Sequence, residues 1–168
     1  MKLIQRITDK DITGADEVSS AVPRKAVRAV LLDDDGLMAL LYVGKMGFFT
    51  LPGGGVEPGE TLEGTLQREM LEETGCACQI VQELGRIEES RMLNDFTQES
   101  FYYLARVQGP KGMPSLTQEE MDEDTQVRWY AIEEAFDIVA RARPENYQRC
   151  YVQRRDIAVL REAMLQLR

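Results

Sequence analysis

Two dense apolar runs, residues 26–32 (AVRAVLL) and 37–43 (LMALLYV), flank the turn-forming sequence DDDG at 33–36. Apolar runs this short, bounded by Asp and Gly, read as the two strands of a hairpin. Residues 77–90 alternate weakly and predict one or two further strands. Residues 100–107 (SFYYLARV) and 127–131 (VRWYA) predict two more. The spacing turns helical at residues 62–74, with Thr61 as N-cap and Gly75 as the stop. A helix is expected over 132–143, ending near Pro144 because the residue before a proline is pushed out of the helical region. Another is expected over 147–167. Residues 1–25 are polar and mixed, and predict a lead-in strand or a loose arm. Residues 44–47 and 109–124 read as loops. Strands in hairpins with helices interspersed predict an α/β chain, a mixed sheet packed between helices rather than a bundle or a pure β-sandwich.

The length of 168 residues suits one domain over 1–168. The net charge of −9 disfavours polynucleotides and anionic membranes as partners. It still allows a small phosphorylated ligand, because a metal ion bridges two anions. Cys76, Cys78 and Cys150 form no CxxC pair, and the chain has no His. That argues against a disulfide framework and against a zinc site, and it predicts reduced thiols in a cytoplasmic protein. Neither a leader peptide nor a membrane span is expected.

The unusual stretch is LPGGGVEPGETLEGTLQREMLEETGC, residues 51–76. With about 100° per helical residue and Glu69 at zero, Glu73 falls near about 40° and Glu72 near about 300°. Leu62, Leu66 and Met70 fall near about 20°, 60° and 100°. The acidic stripe therefore borders the apolar one, whereas a merely solvated acidic face would lie opposite it. Clustered carboxylates at the edge of a core take up protons or need a cation. A hard divalent ion such as Mg²⁺ prefers such oxygen ligands. An ordinary surface helix with Arg–Glu pairs is the alternative.

The spacing itself is more specific. Gly54, then Glu60, then Arg68-Glu69-Met70-Leu71-Glu72-Glu73-Thr74-Gly75-Cys76 resembles the Nudix box, G-x5-E-x7-R-E-U-x-E-E-x-G-U with U aliphatic. Met70 and Cys76 are mild departures, both being soft apolar side chains. LPGGG before the box and VRWYAIEEA after it also look like Nudix hydrolases. The resemblance covers about residues 25–140, which leaves residues 144–168 as an appended C-terminal helix. It implies a Nudix fold, an α/β/α sandwich around a mixed sheet. It further implies hydrolysis of a nucleoside diphosphate linked to another moiety, with Mg²⁺ as cofactor and Mn²⁺ as a substitute. By the resemblance, Glu69, Glu73 and the Gly54 carbonyl are metal ligands, Glu72 is a further ligand or holds a metal-bound water, Arg68 orients Glu69, and Glu60 supports Arg68. Some relatives carry the general base in a loop before the late strand, which points here to Glu120.

Candidates for the substrate pocket follow. Arg28 sits among apolar neighbours and needs a polar cleft or a carboxylate partner. Phe48 and Phe49 either stack on a base or pack in the core. Arg91 and Asn94, on an expected loop, are within reach of a phosphate or a base edge. The terminal helix, with Arg149, Arg154, Arg155 and Arg161, either packs on the sheet or closes a homodimer. The leading substrate is a small nucleotide, a (deoxy)nucleoside triphosphate such as an oxidised purine nucleotide. ADP-ribose, nucleotide sugars and dinucleoside polyphosphates are alternatives, as is a non-catalytic nucleotide sensor on the same fold.

Overall fold

The computed structural model describes residues 1–167. Its centre is one mixed sheet. Strand β1 (Leu3–Ile7) is followed by a single helical turn, α1 (Asp9–Ile12), and then by β2 (Arg24–Leu32) and β3 (Met38–Val43). Short strands β4 (Phe48–Thr50) and β5 (Gly53–Gly55) lead into helix α2 (Leu62–Thr74). The long strands β6 (Cys78–Arg91) and β7 (Phe96–Val107) come next. Then follow α3 (Gln118–Asp122), β8 (Thr125–Tyr130), α4 (Ile132–Arg141) and α5 (Tyr147–Gln166).

The expected β2–β3 hairpin is closed only at its turn, where Leu32 pairs with Met38. Away from the turn the two strands splay. β7 runs parallel along the whole of one edge of β2, and β8 runs antiparallel along one edge of β3. The opened V is filled from within. β4 pairs with β3 at Leu41–Thr50 through Val43–Phe48, and β5 pairs with β2 at Ala26–Gly55 through Arg28–Gly53. The glycine stretch is therefore a strand seated in a gap of the sheet.

Period-two alternation along β2 divides the core. Val27, Ala29 and Leu31 face α2 and pack with Leu66, Met70, Cys76, Cys78 and Tyr103. Val30 and Leu32 face the other way, packing with Leu40, Leu84, Tyr102, Val139, Tyr151, Val159, Leu160 and Ala163. Helix α5 thus covers the sheet face opposite α2, and the α/β/α layering is as expected.

Several boundaries move, each for a local reason. The N-terminal segment is a true strand, parallel to β6. β6 is continuous but changes register between Ile80 and Gln82 and between Glu83 and Gly85, which accounts for its weak alternation. It runs through Arg91, so Arg91 lies on a strand rather than a loop, and only Met92–Asn94 turns the chain. Helix α4 stops at Arg141, short of Arg143, with Ala142 already extended (ψ 144°) ahead of Pro144. The expected loop before β8 contains α3, capped by Thr117 and Glu120. That T-x-x-E capping box is legible in the sequence. Among the described residues no helix is long and apolar enough to cross a membrane.

Candidate active site

Thr61 caps α2 by accepting from Gly64 N at 3.0 Å, and Gly75 ends it with a left-handed φ of 70°. Its buried face carries Leu66 and Met70 together with Glu69 and Glu73. The acidic stripe does border the apolar one. Arg68 is saturated. Its Nε and Nη2 reach Glu60 at 2.8 and 3.1 Å, and its Nη1 reaches Glu69 at 2.8 Å and Glu72 at 3.0 Å. Its Nη2 also donates to the Gly55 carbonyl at 3.3 Å. Glu60 is fixed in turn by Thr65 Oγ1 (2.7 Å) and the Glu57 amide (3.1 Å). The hydrogen bonds from Arg68, Thr65 and Glu57 lower its pKa to about 2.

Glu73 is not reached by Arg68. Its Oε2 accepts from Gly53 N at 2.5 Å, pinning α2 to the glycine strand. Burial raises its pKa well above the usual carboxylate range, and the charges of Glu69 and Glu120 add to this. Burial raises Glu69 as well, despite its bond to Arg68. A Cβ on Gly54 would lie 2.3 Å from Glu69 Oε1, so glycine is required for the carboxylate to lie against that backbone.

The surrounding cleft, about 840 Å³, is lined by Arg24, Arg28, residues 53–58, Arg68, Glu69, Glu72, Glu73, Thr117, Glu119, Glu120 and Glu123. Glu120 is thus brought to the carboxylates of α2, held by Thr117 N and Oγ1 at 2.7 and 2.8 Å. The loop before it is strapped to the end of α2. Ser115 N donates to the Glu72 carbonyl at 2.7 Å, and Gly112 N to the Gly75 carbonyl at 2.8 Å. Lys111 ties the same loop down, with Nζ 2.6 Å from Asp33 and 3.6 Å above the Trp129 ring.

Other sequence candidates lie elsewhere. Arg91 is buried, pairs with Glu89 and sits under the rings of Phe96 and Tyr151. Phe49 packs on Tyr42 and Tyr130, at ring distances of 4.8 and 5.9 Å. Phe48 carries Arg149 over its ring and borders a separate small cavity of about 110 Å³ under α5. Asn94 is exposed in the β6–β7 turn. Two groups escaped sequence reading. Arg24 lines the cleft, and only its register on β2 with Arg28 pointed there. Asp156 on α5 accepts from Thr50 Oγ1 (2.8 Å) and Leu51 N (3.1 Å), so a helix remote in sequence holds the segment that leads to the glycines.

The box residues, the glycine strand and the acidic helix thus form one cleft, as the spacing required. Residues 22–150 match the family model of the NUDIX domain. The chain belongs to the Nudix family. It is a Nudix hydrolase, an enzyme of pyrophosphate bonds in small nucleotide substrates, and its family generally uses divalent metal ions. Similar solved structures agree in fold. A NUDIX hydrolase from Nitrosomonas europaea is 24% identical, with a TM-score of 0.60 over 80% of this chain and 89% of that one. A MutT protein from Methanosarcina mazei Go1 is 21% identical (TM-score 0.56; 80% and 94% covered). An ADP-ribose pyrophosphatase from Streptococcus suis is 16% identical (TM-score 0.54; 85% and 92% covered). No curated protein sequence is similar to this one.

The residues suit a hard divalent cation. The donors are all oxygen, the cleft's seven carboxylates outnumber its three arginines, and a side chain at Gly54 would block the approach. Among the described residues no three acidic or thiol side chains converge into a ready-made cage, and Glu69 and Glu72 are turned onto Arg68.

Proposed function

We propose that this Nudix hydrolase is a Mg²⁺-dependent pyrophosphohydrolase of a (deoxy)nucleoside triphosphate, with an oxidised purine nucleotide as one case. The observation that carries the metal-dependent reading is the buried Glu73, which Arg68 does not reach and which lies beside Glu69 and Glu72, both sharing that one arginine with Glu60. Glu69, Glu72, Glu73 and the Gly54 carbonyl would hold the metal. When bound, it supplies charge neutralisation of the diphosphate and a more acidic water. Arg68 keeps Glu69 oriented, and Glu60 keeps Arg68 in place. Glu120, at the mouth of the cleft, accepts the proton of the attacking water. Water adds to one phosphorus, the bridging P–O bond breaks, and two phosphate products leave. The free thiols Cys76, Cys78 and Cys150 fit a cytoplasmic setting.

The test is hydrolysis of a panel with Mg²⁺: canonical and oxidised nucleoside triphosphates, ADP-ribose, NADH and diadenosine polyphosphates. Glu73→Gln and metal-free controls run beside it. Turnover of triphosphates, lost in both controls, is the expected result. Nucleotide binding with no turnover of any substrate would replace the hydrolysis of this cleft with a sensor role.

A further inference from the structure

Arg68 spends its donors on Glu60, Glu69, Glu72 and the Gly55 carbonyl. The cleft holds two other arginines, and these are unspent. Among the described residues neither Arg24 nor Arg28 forms an ion pair, although the same cleft contains seven acidic side chains, Glu57, Glu69, Glu72, Glu73, Glu119, Glu120 and Glu123. Arg28 makes one side-chain hydrogen bond, from Nη1 to Ser100 Oγ at 3.3 Å. It is half-buried, and its charged neighbours on the α5 side, Arg155, Asp156 and Glu89, include two acids, neither of them within ion-pairing distance. A guanidinium has five N–H donors, and one held by a single long hydrogen bond to Ser100 keeps most of its fork free for a ligand.

The glycine strand explains how opposite charges share one cleft without cancelling. β5 lies along β2 with Gly55 beside Ala26 and Gly53 beside Arg28. A Cβ on Gly55 would lie 2.3 Å from Arg24 Nη2, and one on Gly53 would lie 2.8 Å from Arg28 Cγ. A Cβ on Gly54, which points to the other face, would strike Glu69 instead. The bare strand therefore carries arginines on one face and carboxylates on the other. The carboxylate face suits a divalent cation, which would offset part of the negative charge of a nucleotide. The arginine face calls for further negative charge. A terminal phosphoryl group supplies it, carrying about −1.5 to −2 at neutral pH, against a single charge on each bridging phosphate. The guanidinium fork matches its oxygens.

We propose that Arg24 and Arg28 form a clamp for a terminal phosphoryl group, selecting nucleotides with a free phosphate end over those capped at both ends, such as ADP-ribose or nucleotide sugars. This rests on the hydrolase reading of the same cleft, and two measurements separate the two claims. The first is the ratio of kcat/KM for a nucleoside triphosphate to that for ADP-ribose, in wild type, Arg24→Gln, Arg28→Gln and Arg28→Lys. The ratio should favour the triphosphate in wild type and fall by about 10–100-fold in each Gln variant, mainly through KM, with partial recovery in Arg28→Lys. The second is calorimetric binding of inorganic tripolyphosphate without metal, which should weaken in Arg24→Gln while its far-ultraviolet spectrum and melting stay those of wild type. Binding that depends on Arg24 in a protein that turns over no nucleotide supports the clamp and ends the hydrolase reading. Triphosphate turnover with an unchanged ratio in the variants, or tripolyphosphate binding indifferent to Arg24, overturns the clamp and keeps the hydrolase.

Discussion

Glu73 and Glu89 are nearly equally buried, at 6% and 3% exposure, on opposite sides of one sheet. Burial pushes the pKa of each upward, yet the outcomes differ in sign. At Glu89 the charges of Arg155 and Arg91 and a hydrogen bond from Arg91 outweigh burial and bring the pKa below the usual range. At Glu73 the neighbouring charges are mostly Glu69 and Glu120, which add to burial. The α5 side is a closed account of charge. Arg155 lies 3.5 Å from Glu89 and 3.1 Å from Asp156, and Asp156 also accepts from Thr50 and Leu51. The α2 side is left open, with Arg68 the one arginine of the cleft that is ion-paired to its several carboxylates. The same residue types make a structural clasp where charges balance and a reactive cleft where they do not.

The largest effect that tests this contrast is Glu89→Gln, which leaves Arg91 and Arg155 buried without their shared anion. It should destabilise the protein by about 3–5 kcal/mol at pH 7 in denaturant unfolding. Because the folded pKa of Glu89 is lowered, its contribution is present above the ordinary carboxylate range and is lost as pH falls through the lower folded value. The gap between variant and wild type should therefore narrow in acid. A gap of under about 1 kcal/mol at pH 7 would contradict the clasp.

Next in size is Glu60→Gln. Glu60 touches no proposed metal ligand but holds Arg68 by two bonds. Metal affinity and kcat/KM should both drop by about 10–100-fold, with little change in unfolding midpoint. Equal losses of stability and activity would place Glu60 in the scaffold only.

Glu73→Gln should show the opposite sign from Glu89→Gln. A raised folded pKa contributes stability below the unfolded value and loses it as pH rises through the folded value. The metal-free Gln variant should thus be more stable than wild type at pH 8, by on the order of 1 kcal/mol, though inactive. Mg²⁺ should raise the wild-type melting temperature and leave the variant where it is. A variant less stable than wild type without metal would sink the argument. The smallest effect is expected from Lys111→Ala. Lys111 is exposed, and the buried Asp33 keeps the amides of Asp35 and Leu37, so losing the pair should cost at most about 1 kcal/mol. A larger fall in activity than in stability would show the strap to be what positions Glu120.

The cleft was more legible than its support. Glu69, Glu72, Glu73, Arg68 and Glu60 sit within one helix and its lead-in, so local spacing carries their geometry. Thr117 and Glu120 were readable too, as a capping box in a segment otherwise taken for loop. Arg91 was misplaced because the buried positions at that end of β6 are Glu89 and Arg91, whose pairing replaces the apolar residues that mark a strand. Asp156 was invisible for a different reason. Nothing in YVQRRDIAV says that one acid faces Thr50 and Leu51, because that contact depends on how the β2–β3 hairpin splays. The balance of buried charge across the sheet is a property of tertiary packing, and single-residue patterns do not carry it.

The clasp on Leu51 also sets an order of assembly. Asp156 reaches it across 105 positions, and Tyr151 reaches Asp9 across 142. Contacts so distant in the chain close late and slowly, since the entropy of a long loop must be overcome first. On the ribosome, α2 emerges and can coil early, but the Thr50–Leu51 segment that leads to Gly54 gains its hold on Asp156 only after α5 has been made. Until then the sheet face of Val30, Leu40 and Tyr102 stays bare to solvent. The interval between those two events is when a nascent molecule is most exposed to aggregation and most in need of a chaperone.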